Sequence, residues 1–158
     1  MDAVDVVLRP ARAGESAELS GLALRSKGYW GYSAAFLDSC REELTIGEGQ
    51  LGEVTVAGIG DVPVAFSLMS PSQTDPDVVV LNMLFVDVPH IGSGIGRRLL
   101  TVALDTATKR GFRAVVLDAD PGAERFYLRN GAQRVGESQS GSIAGRTLPR
   151  LEFTLDGG

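Results

Sequence analysis

The apolar run from Val78 to Val86 constrains the fold more than any other stretch of this sequence. Asn82 is its one polar residue, a composition typical of a strand buried on both faces, which predicts a central place in a sheet. After a glycine-rich turn, apolar residues recur with a helical period from Ile95 to Ala107, and Ala114 to Leu117 forms a second apolar run. A strand, a helix and a strand in this order predict a βαβ unit with two parallel strands.

The segments on either side of this unit predict antiparallel strands. Val54 to Ala57 and Val62 to Met69 enclose a short glycine turn, as in a hairpin. Pro63 indicates that the second of these strands begins near a sheet edge, because proline cannot donate a ladder hydrogen bond. Near the C-terminus, Gln133 to Glu137 and Leu151 to Leu155 alternate between polar and apolar residues, which predicts a second antiparallel pair.

Helical segments are expected ahead of the first hairpin, after an initial strand at Val4 to Leu8. One helix runs to about Arg25, and the next follows a cap at Ser33 and carries Cys40 on its apolar face as a small core residue. A further helix is expected after the βαβ unit, capped by Asp120 with Pro121 at its first position and ended by Asn130-Gly131. We therefore expect a single α/β domain over residues 1–158. Its mixed, mostly antiparallel sheet contains one parallel βαβ pair and is flanked by helices.

The composition excludes several classes of function. The 158 residues include one histidine, His90, and one cysteine, Cys40, whereas a structural zinc site needs about four nitrogen or sulfur ligands. Twenty acidic residues against 15 basic ones give a net charge of -5, the opposite sign from a typical nucleic-acid-binding domain. No apolar run reaches the roughly 18 residues of a membrane span, and no signal peptide is recognisable. We therefore expect a cytoplasmic protein that uses no metal and binds neither nucleic acid nor membrane.

The strongest local motif is Gly92-Ser93-Gly94-Ile95-Gly96-Arg97-Arg98, between the central strand and its helix. Each glycine costs roughly 0.5 to 1 kcal/mol within a helical turn, and two cations in a first turn oppose the helix dipole. A phosphate bound by backbone N–H groups at the helix N-terminus would offset both costs. A turn rich in glycine only for tight packing is the alternative. A dinucleotide fingerprint is disfavoured, because Arg97 stands where its third glycine belongs.

Two motifs in this region resemble the GNAT superfamily of acyl-CoA N-acyltransferases. The segment Ile91 to Gly96 is similar to the family's Arg/Gln-x-x-Gly-x-Gly/Ala motif, and it follows Leu84-Phe85-Val86 as that motif follows Leu-x-Val. The segment Ala123 to Ala132 is similar to Ala-x-x-Phe-Tyr-x-x-x-Gly-Phe. This sequence has Ile91 for the family's Arg or Gln, Asp120 for a frequent Asn that contacts the pantetheine arm, and Ala132 for the usual Phe.

The resemblance implies a GNAT-like domain with acetyl-CoA as cosubstrate. The residues that it places around acetyl-CoA are Leu84, Phe85, Val86, Ile91, Gly92, Ser93, Gly94, Ile95, Gly96, Arg97, Asp120, Ala123 and Phe126. A bulge at Leu84, Phe85 and Val86 would aim backbone N–H groups at the acyl carbonyl. Tyr127 stands at the position of the family's general acid, and a phenol with a pKa of about 10 can protonate a thiolate whose thiol has a pKa near 8.5. Glu53 could accept the proton of the amine through water, although a carboxylate at a strand end is more often simply solvated.

The acceptor is expected to be an amine of a small molecule or a peptide. Tyr29, Trp30 and Tyr32 fall between the first two helices and could line its site, together with Arg146 from a loop rich in Ser and Gly. A structural alternative exists for Tyr32, whose spacing to Leu37 is that of a hydrophobic staple. The family often forms homodimers. An acyl-CoA-binding module without catalysis is the alternative function.

Overall fold

The structure is a computed structural model that describes residues 5–139 and 147–155 of the chain. Its seven strands form a mixed sheet in the order β1-β2-β3-β4-β5-β7-β6. The strands are β1 (Val7–Pro10), β2 (Val54–Ile59), β3 (Val62–Pro71), β4 (Val78–Val86), β5 (Ala114–Asp118), β6 (Gln133–Gln139) and β7 (Thr147–Thr154). The α-helices are α1 (Ser16–Gly28), α2 (Ala34–Cys40), α3 (Ile95–Lys109) and α4 (Glu124–Arg129), and two 3-10 turns occupy Glu48–Glu53 and Val88–His90. The predicted mixed α/β fold is confirmed.

The βαβ unit forms as the apolar runs predict. Val78, Val79 and Val80 of β4 pair in parallel with the first three residues of β5, and α3 lies between these strands in the chain. Gly111 ends the helix with a φ of +87°, and the N–H of Phe112 donates to the oxygen of Ala107 at 3.1 Å. The β4 strand has three strands on one side and three on the other, so its predicted central position is confirmed.

The predicted edge position of Pro63 is wrong. Its strand, β3, lies between β2 and β4 in the interior of the sheet. Pro63 is opposite Gly58, and the register of β2 with β3 shifts between Ala57 and Gly58. Since the ladder is irregular at this point, an interior strand can begin with a residue that has no N–H to donate.

The chain forms two compact units, of which the first comprises the residues up to Leu68 together with Met83–Leu100. Apolar residues of α1 and α2 pack there against β2 and β3, and Cys40 is buried among them as predicted. A second cluster in this unit joins Ile95 and Leu99 of α3 to Ala57 and Ala65. These contacts anchor the first turn of α3 on the sheet.

The second unit comprises Met69–Asn82 and the chain from Thr101 onwards. Val78, Ala114 and Val116 form a small apolar cluster across the parallel pair of strands. The β7 strand pairs antiparallel with both β5 and β6, which places the last strand in sequence between two earlier ones. None of the helices in the described ranges combines the length and the apolar character that a membrane span requires.

An ion pair between Arg9 and Glu15 fastens β1 to the start of α1. Two Arg9 nitrogens donate to the two Glu15 oxygens at 2.9 and 2.7 Å, and the N–H of Arg12 donates to Glu15 Oε1 at 2.7 Å. Both side chains are largely buried, with 13% and 11% exposure. The hydrogen bonds from Arg9 are the main reason that the pKa of Glu15 lies below its usual value.

We predict that Glu15→Gln lowers the free energy of unfolding at pH 7 by about 1.5 to 3 kcal/mol, the range for hydrogen bonds to charged groups. Because the pKa of Glu15 is lower in the folded protein, this contribution is complete above the unfolded pKa of about 4.5 and is lost as the pH falls through the folded value. Urea unfolding at pH 7 and pH 4 measures the difference. Asp105→Asn, which removes an exposed pair with Lys109, is the control and should cost less than about 0.5 kcal/mol. A Glu15→Gln penalty that does not shrink toward low pH would contradict the prediction.

Candidate active site

The segment from Asp87 to Gly94 is a compact turn that links β4 to α3. The Asp87 carboxylate accepts a hydrogen bond from the N–H of Val88 at 2.9 Å and caps the 3-10 turn Val88–His90. The oxygen of His90 then accepts from the Ser93 N–H at 3.2 Å and from the Ser93 hydroxyl at 2.6 Å. The N–H and hydroxyl of Ser93 and the backbone oxygen of His90 therefore shape the turn.

Two glycines of this turn are exposed and have left-handed backbone angles. The φ angles are +85° at Gly92 and +91° at Gly94, a region that residues with a Cβ rarely adopt. A Cβ added at either position would meet no atom within 4 Å. These glycines are therefore not required for tight packing against the protein. The backbone is instead open to an approaching group.

The N-terminus of α3 lies directly after Gly94. The first helical hydrogen bond runs from the N–H of Arg98 to the oxygen of Gly94 at 3.2 Å, so the N–H groups of Ile95, Gly96 and Arg97 precede it and face the open end of the helix. Ile95 is 5% exposed and packs in the core, so its side chain is not available to a ligand.

The two arginines of the first turn have different surroundings. The side chains of both Arg97 and Arg98 are exposed. However, Arg98 Nη1 donates to the backbone oxygen of Val6 at 3.2 Å, which ties α3 to the segment before β1. Arg98 thus has an acceptor within the protein, and of the two arginines it is Arg97 that supports the expectation of a bound anion.

The side chains at the end of β4 are used in packing. Leu84 and Val86 pack against the cluster around Ile95 and Leu99, while the ring of Phe85 lies 6.0 Å from the ring of Phe66. All three residues are half-buried. Ile91, at the end of the 3-10 turn, is half-buried as well.

Tyr127 lies on α4 in the second unit and is 6% exposed. Its ring makes edge contacts with the rings of Phe126 and Phe153, at centroid distances of 5.2 and 6.4 Å. Burial, and secondarily the negative charge of Asp120, raises the pKa of the Tyr127 phenol above its usual value of 10.0. The phenol therefore keeps its proton at neutral pH, and it is a weaker acid than the sequence alone suggests.

The helix that carries Tyr127 begins later than predicted. Asp120 was expected to cap it, with Pro121 in its first turn, but α4 starts at Glu124 and Ala123 is its N-cap. Asp120 Oδ1 instead accepts from the N–H of Gly122 at 3.0 Å, and the backbone oxygen of Asp120 accepts from the N–H of Ala123 at 2.8 Å. These two hydrogen bonds form a local turn in place of the predicted helix start. The predicted end of the helix is confirmed by Gly131, whose φ is +106°.

The predicted base and the predicted acceptor wall lie in the first unit. Glu53 is the exposed last residue of the 3-10 turn before β2. Tyr29 and Trp30 are 52% and 48% exposed at the end of α1, and their rings meet edge to face at 5.2 Å. This pair is open to an external ligand. Tyr32 has a different environment.

Tyr32 packs inside the α1–α2 connection. Its ring stacks on Phe36 at 4.3 Å, and Lys27 Nζ lies 5.7 Å from the ring centre. The cap at Ser33 is confirmed by its hydrogen bond from the N–H of Phe36, at 3.1 Å. The ring of Tyr32 thus stacks on Phe36, one residue before the predicted staple partner Leu37. Arg146 lies outside the described residues.

One ion pair near the turn is not predicted by the sequence. Arg25, in the last turn of α1, donates to both oxygens of Asp87 at 3.1 and 3.0 Å. An Asp directly before a Val-Pro dipeptide is the local signal of a capped turn, but nothing local indicates its arginine partner. Within residues 5–139 and 147–155, no group of three or more His, Cys, Asp or Glu side chains could hold a metal ion.

Together, the mixed sheet with its parallel βαβ pair and the exposed glycine turn before α3 define a protein of the α/β class. The chain belongs to the acetyltransferase (GNAT) family, whose model matches residues 23–132, more than half of its length. The sequence-based resemblance is thus confirmed. A comparison with curated protein sequences gave no significant match.

Many solved structures share this fold. One is a GCN5-related N-acetyltransferase from Rhodopseudomonas palustris, with a TM-score of 0.77, 20% identity and coverage of 98% of this chain and 99% of that one. The PaiA N-acetyltransferase from Thermoplasma acidophilum, in complex with coenzyme A, has a TM-score of 0.77, 18% identity and coverage of 95% and 99%. The ribosomal-protein-S18-alanine N-acetyltransferase from Escherichia coli has a TM-score of 0.70, 16% identity and coverage of 96% and 94%. At these identities the likeness establishes the fold.

Proposed function

We propose that the protein transfers the acetyl group of acetyl-CoA directly to an amine of a small-molecule or peptide acceptor. The observation that carries this proposal is the glycine turn. Gly92 and Gly94 adopt left-handed angles in open space, directly before the N-terminus of α3. Phosphate oxygens accept hydrogen bonds from such N–H groups, and the exposed Arg97 supplies a positive charge, so the residues present fit the diphosphate of a CoA ester.

We assign different segments of the chain to different parts of acetyl-CoA. We assign the backbone of Gly92 to Arg97 to the phosphates and the backbone of Leu84 to Val86 to the acyl carbonyl. Asp120, Ala123 and Phe126 are assigned to the pantetheine arm. Ile91 and Ser93 contribute through the shape of the turn, since the hydroxyl of Ser93 already bonds to His90.

The reaction requires two proton movements. A neutral amine attacks the thioester carbonyl, a C–N bond forms, the C–S bond breaks, and the departing thiolate takes a proton. We assign donation of that proton to Tyr127, whose phenol is held in its protonated form by its raised pKa. Glu53 is the proposed acceptor of the amine's proton, through water, because it is exposed and lies in the same unit as the glycine turn.

We propose that exposed aromatic residues of the first unit bind the acceptor amine. Tyr29 and Trp30 present exposed aromatic surface that suits contact with an organic amine, and we retain Tyr32 and Arg146 as further candidates. The net charge of -5 favours a cationic acceptor by attraction. We also propose a cytoplasmic location and a homodimer. An acyl-CoA-binding module without catalysis is the second candidate function, favoured by the burial of Tyr127 to 6% exposure, because a general acid must reach the departing thiolate.

Binding is tested by the melting temperature with acetyl-CoA, with NAD as the control ligand. At about 100 times the dissociation constant, a specific ligand adds about 2.7 kcal/mol, or roughly 5 to 10 °C for a domain of this size. We expect a shift with acetyl-CoA and none with NAD. A panel of amines, assayed by release of CoA thiol, then separates the two candidates. Amine-dependent release supports the enzyme, a shift without release by any amine supports the binding module, and no shift contradicts both.

A further inference from the structure

The Arg25–Asp87 ion pair joins two parts of the proposed site. Asp87 follows β4 directly and precedes the turn that leads to Gly92 and Gly94. Arg25 lies in the last turn of α1, four residues before Tyr29. The pair is bidentate, with Nε and Nη2 of Arg25 donating to Oδ1 and Oδ2 of Asp87 at 3.1 and 3.0 Å. This geometry fixes the orientation of the carboxylate as well as its position.

Asp87 passes this constraint to the turn through further hydrogen bonds. Its Oδ1 accepts from the N–H of Val88 at 2.9 Å, and its backbone oxygen accepts from the N–H of His90 at 2.9 Å. Its own N–H donates to the oxygen of Val64 on β3 at 2.8 Å. The side chain of Asp87 is 19% exposed, whereas that of Arg25 is 54% exposed. A mostly covered carboxylate thus connects the sheet, the end of α1 and the start of the glycine turn.

We propose that Arg25 and Asp87 are positioning residues that hold the glycine turn in its phosphate-binding geometry, a role that rests on the proposed use of acetyl-CoA. Neither side chain needs to touch the ligand. The pair fixes the 3-10 turn, and through it the direction in which the N–H groups at the start of α3 face. The same contact links the turn to the helix end that bears Tyr29 and Trp30.

The informative variant is Asp87→Asn, because electrostatics and positioning predict opposite results for it. Removing a negative charge near a polyanionic ligand should tighten binding if charge alone matters. If the pair positions the turn, binding of CoA should weaken by about fivefold, with little change in kcat. Asp105→Asn removes an equal charge from the exposed Asp105–Lys109 pair and is the matched control.

The test combines amide exchange in the ligand-free protein with CoA titration by calorimetry. We expect faster exchange at Val88, His90 and Ser93 and a weaker CoA affinity in Asp87→Asn and Arg25→Gln, while Asp105→Asn resembles wild type in both. Arg25→Lys should be intermediate, because lysine keeps the charge but loses the bidentate geometry. The double variant should lose no more affinity than the worse single one.

Three results would overturn the proposal: unchanged exchange in both Asp87→Asn and Arg25→Gln, faster exchange with wild-type CoA affinity, or tighter CoA binding by Asp87→Asn. Arg25→Gln replaces a half-exposed side chain and serves if Asp87→Asn does not fold. A wild-type protein that binds no CoA would contradict the proposed function instead. The exchange measurement in the ligand-free variants would then still decide whether the pair holds the turn.

Discussion

Tyr127→Phe is expected to lower kcat by about 100-fold while leaving the affinity for acetyl-CoA nearly unchanged. The change removes one hydroxyl and keeps the ring, so the edge contacts with Phe126 and Phe153 persist. Loss of a general acid costs typically 10² to 10⁴ in rate, and the lower end of about 10² applies because the raised pKa makes this phenol a weak donor. Steady-state kinetics with the best acceptor, together with CoA titration, measure the two quantities.

The raised pKa of Tyr127 also predicts how kcat depends on pH. In the wild-type enzyme the phenol stays protonated through pH 10, so deprotonation of Tyr127 should produce no alkaline decline in kcat below that value. Phe153→Leu disturbs the ring packing but keeps the hydroxyl, and it should lower stability with a much smaller loss of rate. A Tyr127→Phe enzyme with wild-type kcat would remove Tyr127 from the mechanism.

Gly94→Ala is expected to weaken acetyl-CoA binding by about tenfold or more. An alanine at a φ of +91° costs roughly 1 to 2 kcal/mol in backbone strain. If the free turn relaxes to relieve this strain, CoA binding must restore the strained angle, and every 1.4 kcal/mol of that cost lowers the affinity about tenfold. The added methyl group also enters the open space above the turn, where no protein atom lies within 4 Å. Calorimetric titration gives the dissociation constant, and thermal unfolding gives the stability.

Gly111→Ala is the matched control for this variant. Gly111 follows the other end of α3, has a φ of +87° and likewise has no atom within 4 Å of an added Cβ. The two substitutions therefore carry the same backbone strain and should destabilise the protein to a similar degree. Only Gly94→Ala should weaken acetyl-CoA binding. Equal effects of the two variants on affinity would indicate that the glycine turn has no special part in binding.

The sequence predicts the fold well where periodicity and glycine chemistry are strong. The apolar run of β4 implies its central position, and Gly111 and Gly131 mark helix ends through the left-handed angles that other residues avoid. It fails where two local structures compete for the same residues. At Asp120 a hydrogen-bonded turn with Gly122 forms in place of the expected helix start, so α4 begins at Glu124.

The candidate site divides in the same way. The glycine turn is recognisable because its residue types impose unusual backbone angles. The pairing of Arg25 with Asp87 is not, since the two residues are 62 positions apart and only the folded chain brings them together. Burial also changes the pKa of a side chain, which residue identity alone does not show. From the sequence, Tyr127 is expected to have the pKa of an ordinary phenol, whereas burial in the folded protein raises it.

We propose that acetyl-CoA binds with its phosphates on the N–H groups of the glycine turn. NMR tests this placement directly, by following the backbone amide resonances of the protein during titration with CoA. We expect the largest shifts at Gly92, Gly94, Gly96 and Arg97, with small shifts at Gly111 at the far end of α3. Saturable binding whose largest shifts lie elsewhere, with the turn unmoved, would show that the phosphates do not bind there.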